Sequence, residues 1–323
     1  MEYWGDCMDT EKLKRVLVAD SMSAAGVKKI SQAADIDIRT NIYARDLLQV
    51  IGDYHGLVVR SRTKVTADLV AAAAQLQVIG RAGVGVDNID LDACKQRGII
   101  VVNSPMAASV AVAELTFGMM LSLARRLPFI DAEMKKGRWP KKQLKGLELD
   151  GKTLGLVGVG RIGSEVARRA IAFGMRVVAH DPYLSSDDMR ARNVRPAILK
   201  TVLSTAEYIS IHTPLNDETH HMIDGPAIDS MRDGVRIVCA ARGGVIDEAA
   251  LLTRLVSGKV AGAALDVFEI EPPGVSPLVE HPHVIVTPHI GAQTHEAQER
   301  AGLDVGSEVV AALTGGELRW KVV

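Results

Sequence analysis

Short apolar runs rich in β-branched residues alternate with helix-like stretches along almost the whole chain, and this alternation leaves few folds open. The runs are "RVLVAD", "GLVVRS", "LQVIGRAG", "IIVVNS", "TLGLVGVG", "RVVAHDP", "YISIHTP", "RIVCAARGG", "VAGAALDV" and "VIVTPH". Nearly all are continuously apolar, the pattern of strands covered on both faces. Strands alternating with helices mean parallel sheets joined by crossover helices. At 323 residues, the chain has length for about two domains. The expected fold class is α/β, built on doubly wound parallel sheets.

Composition removes several function classes. Aromatic residues are only 4% of the chain although 47% is hydrophobic, so Val, Ile, Leu, Ala and Met must build the core. A net charge of -1 offers no basic surplus for nucleic acid or an anionic membrane. Cys7, Cys94 and Cys239 are scattered and odd in number, which makes neither a disulfide framework nor a metal spacing. A reduced, cytoplasmic setting is expected. The polar, acidic start "MEYWGDCMDTEKLKR" does not resemble a secretory signal. Residues 98 to 124 carry no Lys or Arg, but Asn103, Pro105 and Glu114 interrupt them, so a membrane span is not expected. They read instead as a strand, "IIVVN", and a buried helix, "SVAVAELTFGMMLSLARRL". A helix apolar nearly all round needs cover on every side, and a second subunit can supply part of it. The polar "KKGRWPKKQLKGLELDGKT", residues 135 to 153, is the nearest thing to a linker and reads as a solvated face.

The next strand opens the strongest motif, Gly158-x-Gly160-x-x-Gly163. It follows "TLGLV", opens the helical "IGSEVARRAIAFG", and leads to a second strand, "RVVAH", that ends at Asp181. The 18 positions from Gly163 to Asp181 are close to the interval of about 20 seen in dinucleotide-binding units. Gly158 makes the tight turn, Gly160 lets the backbone approach a pyrophosphate, and Gly163 lets helix pack on strand. Asp181 can accept from ribose hydroxyls and repels a 2′-phosphate, which favours NAD over NADP; Arg161 acts weakly in the opposite sense.

Three later strand ends carry polar groups: Arg242 in "VCAARGGVIDEAAL"; Asp266, Glu269 and Glu271 in "AALDVFEIEPP"; and His289 in "VTPHIG". Strand ends of a doubly wound sheet converge on the cofactor crevice. Hydride transfer to a 2-keto acid needs a proton donor for the carbonyl oxygen. A His beside a carboxylate suits that task. An Arg fork suits the substrate carboxylate.

Together, "GRAGVGVDNIDLDA", "VGVGRIG", "HTPLNDET", "CAARGGVIDE", "GAALDVFEIEPP" and "TPHIGAQT" resemble the D-2-hydroxyacid dehydrogenases, and among them most closely the phosphoglycerate dehydrogenases. The resemblance covers nearly the whole chain with the motifs in order. It implies a catalytic trio of Arg242, Glu271 and His289. It implies cofactor contacts from Gly158, Gly160, Arg161, Ile162, Gly163, Asp181, Pro182, Thr213, Pro214, Thr219, Ala240, Ala241, Asp266, His289, Gly291 and Ala292. Substrate would meet Arg60, Ser61, Arg81, Ala82, Gly83, Arg242 and His289, with Arg60 and Arg81 at a phosphate and Gly83 and Gly85 offering backbone N–H groups to a carboxylate.

The implied architecture is a flavodoxin-like substrate domain, residues 1–104 and 293–323, with a Rossmann NAD-binding domain, 105–292, inserted in it. The active site would be the cleft, and the long helix after Pro105 would pair two copies in a homodimer. The expected partner is a small 2-hydroxy or 2-keto acid, with no metal. Ala107 and Ala108 stand where phosphoglycerate dehydrogenases place Gly and Asn, and Val84 where a Thr is common. Hydroxypyruvate or glyoxylate, sulfolactate and branched 2-keto acids therefore stay open beside phosphoglycerate. The chain stops 34 positions after His289, so feedback through a C-terminal serine-binding domain is not expected. Two other readings are metal chemistry at His281, His283 and His289, and a non-catalytic NAD-sensing corepressor.

Overall fold

The computed structural model describes residues 14–323, so Cys7 and nearly all of the polar start lie outside the described residues. By its internal contacts the chain divides into two compact units. One is discontinuous, residues up to Ala108 plus Thr294–Val323; the other is continuous, Ser109–Gln293.

The discontinuous unit holds a five-stranded sheet. Its strands are β1 (Arg15–Val18), β2 (Asp35–Ile38), β3 (Gly56–Val59), β4 (Val78–Arg81) and β5 (Ile100–Asn103). They lie in the order β2-β1-β3-β4-β5, all parallel, which is the flavodoxin-like order. Alternate residues of β1 face opposite layers: Leu17 packs with Leu57 and Ile79, and Val16 and Val18 pack with Val305 and Val309.

The returning helix His295–Thr314 crosses the first helix, Ala24–Ile30, at small residues. A Cβ on Gly26 would lie 2.5 Å from the Gly302 carbonyl oxygen, so the two backbones touch there. Buried Glu308 then accepts from the backbone N–H groups of Arg319 and Trp320, at 2.9 and 3.0 Å. That turns the tail so that Val322 N–H donates to Val101 O at 2.7 Å beside β5.

The continuous unit holds a seven-stranded sheet. Its strands are β6 (Thr153–Val157), β7 (Arg176–His180), β8 (Arg195–Pro196), β9 (Tyr208–Ile211), β10 (Val235–Cys239), β11 (Val260–Leu265) and β12 (Val284–Val286). The order is β12-β11-β10-β9-β6-β7-β8, again parallel. The chain winds outward both ways from β6, so the switch point falls between β6 and β9, where open α/β sheets bind ligands. Both faces are covered: in β10, Ile237 and Cys239 belong to one apolar layer and Val238 to the other.

The apolar stretch expected as a strand and buried helix is β5 and Ser109–Arg125. Among the described residues no helix is long and apolar enough to cross a membrane. The two-sheet α/β class read from the alternation is what the chain adopts. Its ten apolar runs supply ten of the twelve strands among the described residues, and the two others, β2 and β8, are edge strands.

Candidate active site

Strand β6 ends in Gly158, whose φ of 93° is open to glycine and disfavoured for other residues. A Cβ there would lie 2.7 Å from the His212 carbonyl oxygen. A Cβ on Gly163 would meet the Gly158 carbonyl oxygen at 2.2 Å, so this glycine lets helix Arg161–Ala172 press onto the strand. Gly160 differs, because a Cβ added to it would meet nothing within 4 Å. The protein itself does not require glycine there, whereas a pyrophosphate approaching the backbone does. Gly160 caps that helix with no side-chain hydrogen bond, which leaves a positive helix end facing the gap. The residues present thus fit a dinucleotide.

Asp181 follows β7. Its Oδ2 accepts from Val159 N–H at 2.8 Å and its Oδ1 from Tyr183 N–H at 3.0 Å. It ties the glycine turn to the next strand end while keeping lone pairs for a ribose. In the loop after β9, Thr219 Oγ1 donates to Pro214 O at 2.7 Å and accepts from Asn216 N–H at 2.9 Å, so its side chain shapes the loop. Thr213 opens the same loop, with Oγ1 4.0 Å from the Met222 sulfur. Ala240 and Ala241 are buried just past β10. Ile162 and Pro182 lie beside the glycine turn and Asp181, and Gly291 and Ala292 follow His289. Below the glycine turn, His212 is partly buried, its Nε2 2.8 Å from Ser210 Oγ. Burial pushes its pKa down to about 4, so the ring is neutral at pH 7.

The continuous unit brings together Glu271 and His289. Glu271 Oε2 lies 2.8 Å from His289 Nδ1 and its Oε1 accepts from Phe268 N–H at 3.2 Å. With Nδ1 engaged, Nε2 is the ring nitrogen left for a substrate oxygen. His289 sits at φ 52°, and its own N–H donates to Asp266 O at 2.9 Å. The Asp266 carboxylate, 1% exposed, accepts from Thr287 Oγ1 at 2.6 Å and from the N–H groups of Ile290 and Gly291, each at 2.8 Å. Expected at the cofactor, Asp266 here organises the loop that presents His289. Arg242 leaves β10 in a turn and donates from Nη1 to Ala241 O at 2.7 Å. Glycine at 243 is needed because a Cβ would fall 1.7 Å from Phe268 O.

In the discontinuous unit, Arg60 follows β3 and is held through its backbone. Its N–H donates to Asp20 Oδ2 at 2.7 Å and its carbonyl accepts from Asn88 Nδ2 at 2.8 Å. The Thr63 hydroxyl and Arg62 Nε also donate to the buried Asp20, at 2.8 and 2.9 Å. Arg62 is therefore part of the scaffold around exposed Ser61. The guanidinium of Arg81 lies over Gly83, with Nη1 1.6 Å from where a Cβ would be.

One expectation needs correcting here. Gly83 N–H is not open to a carboxylate but closes onto Arg81 O at 2.8 Å, because the chain bends back just past β4. Ala82 N–H adds a rung to the β3–β4 ladder by donating to Val59 O at 2.9 Å.

Sequence reasoning missed Asp20 and Asn88, whose only signal was a position at a strand end and in the loop after "GVGVD". Among the described residues no group of three His, Cys, Asp or Glu could hold a metal. His281 and His283 are tilted at 5.7 Å, and His283 N–H donates to His281 Nδ1.

A family model described as D-isomer specific 2-hydroxyacid dehydrogenase, NAD binding domain, matches residues 117–291. The chain is 46% identical over 310 residues to D-3-phosphoglycerate dehydrogenase of Methanocaldococcus jannaschii, a match covering 96% of this chain but 59% of that protein. The chain thus spans about three fifths of that curated relative. A solved structure of a protein from Thermus thermophilus superposes with a TM-score of 0.89 at 34% identity, covering 96% of this chain and all of that one. D-lactate dehydrogenase from Aquifex aeolicus, solved with NAD and lactic acid, gives 0.81 at 31%, covering 94% of this chain and 96% of that one.

Proposed function

Because the chain belongs to the D-isomer specific 2-hydroxyacid dehydrogenase family, we propose that it oxidises D-3-phosphoglycerate to 3-phosphohydroxypyruvate, a step toward serine. The observation that carries this is the 2.8 Å pair of His289 Nδ1 and Glu271 Oε2 in the same unit as Arg242. Bound NAD supplies the hydride acceptor. His289 Nε2 takes the proton of the 2-hydroxyl as the carbonyl forms, and returns it when the reaction runs backward. Glu271 keeps the ring oriented and offsets the charge that it gains. Arg242 offers a fork for the substrate carboxylate and polarises the carbonyl. A dianionic phosphate needs more than one fixed cation, and Arg60 and Arg81 are proposed for it.

Phosphoglycerate is favoured over other 2-hydroxy acids by relatives such as the Methanocaldococcus enzyme. The test is NADH oxidation by purified protein with 3-phosphohydroxypyruvate beside hydroxypyruvate, glyoxylate, sulfopyruvate and a branched 2-keto acid. The highest kcat/KM for the phosphorylated acid supports the proposal. Preference for another acid removes phosphoglycerate and keeps the trio. Turnover of none, with NAD bound, leaves a sensor.

We also propose a homodimer through the nucleotide unit. The helix Leu127–Lys135 buries none of its residues, and Leu127, Phe129 and Met134 are exposed on it with Trp139 just beyond. A reducing cytoplasm suits the buried Cys94 and Cys239, whose thiols burial pushes up to about 11.

A further inference from the structure

The Arg242 turn and the Glu271 loop are joined by three ionisable side chains that the proposed chemistry does not use. Glu269 N–H donates to Glu248 Oε1 at 2.7 Å, and Glu248 N–H donates back to Glu269 Oε1 at 3.1 Å. The same Glu269 oxygen lies 3.0 Å from His221 Nε2. His221 in turn donates its backbone N–H to Gly244 O at 2.7 Å, two residues beyond Arg242. Three loops therefore meet, those after β9, β10 and β11. His221 stands at φ 50°, a left-handed conformation that asparagine, aspartate and histidine adopt more readily than other non-glycine residues. Its ring stacks on that of His220 at 4.1 Å.

We propose that His221, Glu269 and Glu248 form a clamp of positioning residues that fixes the Arg242 turn against the loop carrying Glu271. The inference rests on Arg242, Glu271 and His289 being the catalytic trio. Two short links run from the clamp to that trio. On one side, Gly244 is bonded to His221, and Gly243 presses its backbone on Phe268 so closely that a Cβ would lie 1.7 Å from the Phe268 oxygen. On the other, Phe268 N–H donates to the Glu271 carboxylate that holds His289.

The loops after β9 and β10 are also zipped by backbone bonds, Ile223 N–H to Val245 O at 3.1 Å and Asp247 N–H to Ile223 O at 3.2 Å. Beyond Asp266 N–H to Cys239 O at 2.9 Å and the close contact of Gly243 with Phe268, Glu269 and Glu248 supply the side-chain links between the loop after β11 and the Arg242 turn. Burial raises the Glu248 carboxyl; the Glu269 N–H bond offsets part of the rise, the Glu269 carboxylate adds to it and His221 offsets it further. A guanidinium must meet a carboxylate at a fixed angle to bind it in two places. Small misplacement of catalytic groups costs rate steeply.

His221 and Glu269 side chains are each 36% exposed, so truncating them removes a link without opening the core. The test is steady-state kinetics with NADH and whichever keto acid the protein reduces fastest, alongside NADH binding by fluorescence. Glu269→Ala should lower kcat at least tenfold and raise KM for the keto acid at least threefold, with the Kd for NADH within twofold of the parent. Glu269→Gln keeps an oxygen that can accept from both donors, and should recover to within threefold. His221→Asn keeps the backbone conformation and loses the bond, and adding it to Glu269→Ala should cost nothing further.

Unchanged kcat and KM in Glu269→Ala overturn the clamp, as do additive effects in the double variant or NADH binding lost in parallel. Arg242→Ala separates the two levels. If it abolishes turnover while Glu269→Ala leaves kcat and KM unchanged, the clamp fails and the trio stands. If Arg242→Ala is itself fully active, the trio assignment is what fails.

Discussion

Asp266 holds the backbone on both sides of His289 without touching its ring: the His289 N–H is bonded to the Asp266 carbonyl, and the Asp266 carboxylate takes Thr287 before the histidine and Ile290 and Gly291 after it. An amide in place of that carboxylate would set a donor against these donors. Asp266→Asn should therefore lower kcat at least tenfold. It should also lower stability by about 2 kcal/mol, the cost of leaving buried donors unsatisfied. Stopped assays and urea titrations of the same preparation read both.

Asp181 combines a proposed cofactor role with a structural one. Asp181→Ser removes the charge that repels a 2′-phosphate, so kcat/KM for NADP relative to NAD should rise by about tenfold or more. The same change loses the bond to Val159 N–H, so kcat/KM with NAD should fall as well. A ratio that does not move would take Asp181 out of cofactor choice.

The Arg60 loop depends on one buried carboxylate. Asp20 is 3% exposed and accepts from Arg60, Arg62 and Thr63. Asp20→Ala leaves these donors, one of them charged, without their partner, and should cost about 3 kcal/mol. Asn88→Ala frees only two carbonyl oxygens, of Arg60 and Thr63, and should cost about 1 kcal/mol. If Arg60 binds an anionic substrate, Asn88→Ala should raise KM more than it lowers kcat.

His212 should make stability depend on pH. Its folded pKa, lowered by burial to about 4 from 6.5, means that the unfolded chain binds the extra proton between these values. Stability is then complete above pH 6.5 and falls as pH drops toward 4, by up to ~3 kcal/mol from this residue. His212→Gln should flatten the fall in Tm between pH 6.5 and 4.5. An identical slope in both proteins would show that other groups carry it.

The exposed apolar side of Leu127–Lys135 and Trp139 predicts association. Phe129→Asp with Trp139→Glu should convert a dimer to a monomer in sedimentation velocity. A parent protein that runs as a monomer at micromolar concentration removes the dimer.

Continuous apolar runs were legible because a strand buried on both faces needs such residues at every position, as in "GLVV", all of it buried. Of the four edge strands, β2 and β8 had no such signal, while β5 and β12 still read as apolar runs. β2 is "DIDI", half exposed and alternating, and β8 is the two residues Arg195 and Pro196, where proline is tolerated only at an edge. At the site, the glycine spacing carried its own meaning because Gly158 and Gly163 answer backbone demands and Gly160 leaves room for a ligand. The bonds that hold Arg60 could not be read, since Asp20 lies 40 positions before it. Nor could Gly83's N–H be known to turn inward, because that depends on the local bend and not on residue type.

The return of the chain to its first sheet sets an order of assembly. Val16 and Val18 pack on Val305 and Val309, which are made only after the whole continuous unit. The helix bearing the latter also fills the space beside Gly80, where a Cβ would sit 2.6 Å from Val305. On the ribosome, residues 109–293 can close their own core as soon as they emerge. The five-stranded sheet must wait, with part of one face uncovered, until the helix His295–Thr314 arrives. β1 thus belongs to a unit that cannot close before the continuous one has been made, and until then its apolar face is the surface a chaperone would need to shield.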